Sequence, residues 1–127
     1  MEIKQRVNIF VGSLLATLIA LRIFLTFSPT TNFNFLGYNI HHLFIGAFLI
    51  VVLLIFFIFG IVNNFIIILS GVSSALVLDE IVYLIATDGS DITYLSTVSL
   101  YGAIVLASII LLIALILYKT SKQKVRQ

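Results

Sequence analysis

Hydrophobic residues run through this chain in long blocks, with the polar residues gathered between them. Four blocks reach the roughly 20 mostly apolar residues that a helix needs to cross a hydrocarbon core about 30 Å thick, at about 1.5 Å of rise per residue. They cover residues 7–27, 40–62, 65–86 and 95–118. Ser28-Pro29 stops the first, because Pro lacks an N–H and disfavours helix in the residue before it. Gly60 closes the second, and Asn63-Asn64 reads as a tight turn into the third. The pattern predicts an all-α membrane protein in one domain, residues 1–127: an antiparallel bundle of four transmembrane helices, up-down-up-down in its simplest topology.

Composition agrees. The chain is 61% hydrophobic and only 9% charged, whereas soluble domains are about 45–50% apolar and about 25% charged. A water-soluble fold of this length could not bury so much apolar surface, so lipid is the expected surrounding. A net charge of +2, with no basic stripe and no interleaved aromatics, argues against a nucleic-acid partner. The absence of cysteine removes disulfides, thiolate metal sites and cysteine nucleophiles.

Orientation follows from Lys and Arg near the span ends. Lys4 and Arg6 precede the first block, and Lys119, Lys122, Lys124 and Arg126 follow the last. The segment 28–39 has no charge, and 87–94 carries only Asp88 and Asp91. Both termini are therefore expected in the cytoplasm, in a multi-pass protein of the cell membrane. The first block is longer than a signal-peptide core and no A-x-A-like site follows it, so it reads as an anchor that stays. Phe33, Phe35 and Tyr38 suit the headgroup level of the uncharged outer segment.

Small residues let membrane helices approach closely. Gly12, Ala16 and Ala20 make a four-residue ladder on the first helix; Gly71 and Ala75 do so on the third, and Ala103 and Ala107 on the fourth. Each ladder would pack the bundle internally or pair two copies of the chain.

Placed by depth, the intramembrane polar residues converge. Arg22 lies five residues before the end of the first span, His41 and His42 open the second from the same side, and Asp79 and Glu80 lie about 10 Å below the end of the third. Charged groups inside a span are costly, so they pair or face the interior, and these five are expected to share one site. Arg22 paired with Asp79 or Glu80, and Tyr83 one turn away capping the acids, would form a polar network. The same His41, His42, Asp79 and Glu80 are ligand types for Zn, Fe or Mn, and a divalent metal is the candidate cofactor. Adjacent residues on a helix point about 100° apart, which hinders both histidines from aiming at one ion. The di-iron Glu-x-x-His spacing is missing, as are G-x-S-x-G, P-loop, H-E-x-x-H and G-x-G-x-x-G motifs.

The segment Ile40-His41-His42-Leu43-Phe44-Ile45-Gly46, followed by Ser70-Gly71-Val72-Ser73-Ser74-Ala75-Leu76-Val77-Leu78-Asp79-Glu80, resembles a family of small, uncharacterised prokaryotic integral membrane proteins. Its members start one helix with His-x-His-His ahead of a Gly and end a Gly-rich run of the next in Leu-Asp-Glu. The resemblance covers residues 39–99 and implies a four-helix architecture and a shared polar site at His41, His42, Asp79 and Glu80, with no reaction attached. The chain departs from the pattern at Asn39, where a first His is expected, and at Ile92-Thr93-Tyr94, where an Asp-Val-Tyr-Trp-like run is expected. An Asn at a ligand position would weaken or remove a metal.

Three functions fit. The first is a non-enzymatic membrane component, or a subunit of a larger membrane complex, whose cluster is structural or binds an ion or a small polar ligand. The second is a membrane metalloenzyme using the His and carboxylate set. The third is a small proton- or ion-conducting homo-oligomer, since one chain is too short for a transporter built from inverted repeats.

Overall fold

The computed structural model describes residues 2–28, 34–35 and 38–124. The side chains expected at the headgroup level, Phe33, Phe35 and Tyr38, lie outside the described residues, as do Arg126 and the Asn39 side chain. Among the described residues the regular structure is helical but for one two-residue ladder. The helices are α1 (Ile3–Phe27), α2 (His42–Ile58), α3 (Asn64–Ala86), the single turn α4 (Asp91–Tyr94) and α5 (Thr97–Lys124); β1 (Asn34–Phe35) pairs antiparallel with β2 (Tyr38–Asn39) ahead of α2. Helices α1, α3 and α5 are long and apolar enough to cross a membrane.

Helix α2 has 17 residues, about 26 Å at helical rise, and is shorter than the expected 40–62 at both ends. Its end has a definite cause. Gly60 sits at φ 70, its N–H donates to the Phe57 carbonyl at 3.0 Å, and the Ile61 N–H reaches back to the Phe56 carbonyl at 2.9 Å. This is a Schellman closure, which needs a left-handed residue and so favours Gly. The reversal is therefore made around Gly60, not at the Asn pair. Asn63 instead caps α3, its side chain accepting from the Ile66 N–H at 3.0 Å, a contact worth about 1 kcal/mol.

Helix α3 is the hub. It packs against α1, α2 and α5, whereas α1 touches α5 only marginally and makes no extensive contact with α2. Helix α1 runs parallel to α3, since Phe10 to Leu14 lie at Gly71 and Arg22 lies at Asp79. Helices α2 and α5 run antiparallel to it, with Gly46 at Ser73 to Val77 and Gly102 at Val82. Leu14, Ala75 and Ala107 form the central cluster, flanked by Phe10, Leu18, Leu78 and Ile110.

Glycine sets the closest approaches. A Cβ on Gly71 would lie 2.6 Å from the Phe10 carbonyl oxygen and 2.9 Å from the Leu14 nitrogen, as well as against the Ser13 hydroxyl. One on Gly46 would lie 2.7 Å from the Ser73 carbonyl oxygen. The Gly12, Ala16 and Ala20 ladder packs differently from an internal seam: a Cβ at Gly12 would meet nothing within 4 Å, and Ala16 and Ala20 are exposed. The side of α1 that faces α3 is Phe10, Leu14 and Leu18, because Arg22 draws that side toward Asp79. Ser70 and Ser74 turn their hydroxyls back to carbonyls within α3, at 2.8 and 2.7 Å. This satisfies them without an outside partner.

Candidate functional site

The fold brings Arg22, His41, His42, Asp79 and Glu80 together at one end of α3. Asp79 is fully buried and Glu80 nearly so, at 0% and 3% exposure. The Arg22 Nε donates to Asp79 Oδ1 at 2.6 Å. Its Nη1 donates to the Tyr94 carbonyl at 3.2 Å, and its Nη2 to the Asp79 carbonyl at 3.1 Å and to the Ser99 hydroxyl at 3.1 Å. One arginine of α1 thus ties α3 to the turn α4 and to the start of α5.

The histidines do the same for α2. His42 Nε2 lies 3.2 Å from Asp79 Oδ2, and its Nδ1 lies 3.3 Å from Glu80 Oε2. His41 Nδ1 lies 2.5 Å from Glu80 Oε1. Both ring nitrogens of His42 face carboxylate oxygens, so the ring bridges Asp79 and Glu80.

Glu80 has a further role. Its Oε2 accepts from the Leu43 backbone N–H at 2.7 Å. Leu43 lies in the first turn of α2, whose leading N–H groups have no partner within the helix. That turn carries no acidic residue of its own, and the His41 side chain makes no cap. A carboxylate from α3 therefore caps α2 and meets the positive end of its dipole.

Tyr94 completes the site, and no spacing in the chain pointed to it. Its hydroxyl donates to Asp79 Oδ2, and the Arg22 guanidinium carbon stands 4.7 Å over its ring centroid, a cation–π contact. Burial, reinforced by the Asp79 charge, pushes the Tyr94 phenol upward from its ordinary value, so it remains a donor. The loop before α4 delivers it. Asp88 accepts from the Ser90 N–H at 3.0 Å and from the Thr93 hydroxyl at 2.7 Å, and these bonds hold its carboxyl below the usual carboxylate range. Tyr83 was expected to cap the acids; its hydroxyl donates to the Gly89 carbonyl and so braces this same loop. Its ring stands edge-on to Tyr94 at 5.2 Å and tilted against His41 at 6.1 Å.

Each carboxylate oxygen of Asp79 and Glu80 therefore meets a donor of the protein. Against the expectation of a metal at His41, His42, Asp79 and Glu80, no group of three or more His, Asp and Glu side chains among the described residues is arranged to hold an ion. The lone pairs a metal would need are directed at Arg22, Tyr94, Leu43 N–H and the two imidazoles. No family model, no curated protein and no solved structure matches the chain.

Proposed function

We propose that the protein is a non-enzymatic, multi-pass component of the cell membrane, on its own or as a subunit of a larger complex, and that its polar cluster is a structural clamp. The reading rests on one observation: both buried carboxylates are fully engaged by donors from α1, the start of α2 and α4. In this proposal α1, α2, α3 and α5 all cross the bilayer, both termini are cytoplasmic, and the clamp lies on the outer side. The small-protein family suggested by the His41-His42 and Asp79-Glu80 segments is part of the same proposal.

Elemental analysis of detergent-purified protein, beside His42→Ala, tests the clamp. The expected result is less than a tenth of an equivalent of Zn, Fe or Mn in either protein, with a lower unfolding temperature for His42→Ala. One or two equivalents, lost in His42→Ala, would replace the clamp with a metalloenzyme. The absence of native cysteine makes the topology equally accessible. Thr97→Cys should react with a membrane-impermeant maleimide on intact cells, while Asn64→Cys should react only after lysis. Reaction of both on intact cells would show that α3, the long helix between the two positions, does not cross.

A further inference from the structure

We propose that the cleft between α1 and α5 is a binding site for a neutral long-chain amphiphile: one hydrocarbon tail carrying an uncharged hydroxyl or carbonyl head that accepts from Arg22. It goes beyond the clamp and does not depend on it. The cleft exists because α1 and α5 both lean on α3 while barely touching each other. Its volume is about 370 Å³, within the roughly 300–1,000 Å³ typical of small-molecule sites. Leu15, Leu18 and Ile19 line one wall, Leu111 and Ile104 the other, and Ala103 and Ala107 keep it deep. From Leu100 to Leu111 it follows α5 for about 16 Å.

All of its charge lies at one end, where Arg22 and Asp79 line it. These two already pair at 2.6 Å, so an anionic head gains no uncompensated charge there. The end also lies about 8 Å below the last residue of α1 at helical rise, where dehydrating an ion is costly. A neutral head suits it better. Arg22 Nη1 carries two hydrogens and makes one hydrogen bond among the described residues, to Tyr94. The second has no partner among the described residues, and Arg22 lines the head of an otherwise apolar cleft, where a polar group shielded from water gains from a partner.

Native mass spectrometry on the detergent-solubilised full chain tests this with three C18 probes: oleyl alcohol, oleate and 1-octadecene. Oleyl alcohol should bind at one per chain, and the other two at least three-fold more weakly. Ser108→Phe on the α5 wall and Ile19→Trp on the α1 wall should each weaken oleyl alcohol binding at least ten-fold. Ile109→Phe, one residue along α5 and outside the lining, should leave it unchanged. Ser108, Ile19 and Ile109 are all exposed, so the substitutions spare the core. Equal retention of all three probes, or an equal loss in Ile109→Phe, would reduce the cleft to ordinary lipid contact and overturn the proposal. A dimer that Ser108→Phe disrupts would overturn it too, in favour of a second copy.

Discussion

Asp79→Ala is expected to destabilise the folded protein by about 3–5 kcal/mol, the usual cost of removing one partner from a buried ion pair. The loss arises less from the missing attraction than from what stays behind. Arg22 keeps its charge with only carbonyls, the Ser99 hydroxyl and the face of the Tyr94 ring to meet it. His42 and the Tyr94 hydroxyl each lose an acceptor as well. The double variant Arg22→Met, Asp79→Leu removes both charges and fills the space with apolar atoms. It should recover most of that loss, because buried pairs replaced by well-packed apolar residues are often neutral or better. Denaturation in mixed micelles distinguishes the two. If the double variant proves as unstable as Asp79→Ala, the clamp stabilises through its geometry and not through charge balance.

The second large effect concerns two glycines that look alike in the sequence. Gly71→Ala places a Cβ 2.6 Å from the Phe10 carbonyl oxygen and 2.9 Å from the Leu14 nitrogen. Both are backbone atoms that cannot rotate away, so α1 must move off α3. Overpacking of this kind costs about 1–3 kcal/mol or more, which exceeds the roughly 1 kcal/mol that Ala gains over Gly in a helix. Gly12→Ala meets nothing within 4 Å and should keep that gain. Opposite shifts in unfolding temperature are therefore expected from the same substitution. A destabilised Gly12→Ala would mean that a second helix covers the Gly12 and Ala16 face in the membrane.

These contrasts mark where one-dimensional information stops. The long apolar helices were legible because each depends on a contiguous run of apolar residues, and three of them are long enough to cross a membrane. Ser28 ahead of Pro29 ended α1 as expected, and Gly60 ended α2. Convergence of Arg22, His41, His42, Asp79 and Glu80 was also legible, since depth along a helix is residue count times rise and the cost of a lone charge in lipid forces pairing. Asn63 was misjudged because a capping side chain and a turn residue are the same residue type; only the bond to Ile66 separates the two roles.

Rotation about each helix axis was not legible, and it decided the rest. An almost uniformly apolar helix has no polar face to reveal which side turns inward, so the inward face of α1 was settled by contact with α3 and not by the ladder of small residues. The same holds for the cap that Glu80 supplies to α2 across 37 residues of chain and for the bond from Tyr94 to Asp79. Both are made between separate elements, with no periodicity to encode them. Depth is a property of one helix and can be counted along it; facing is a property of two, and exists only once they have packed.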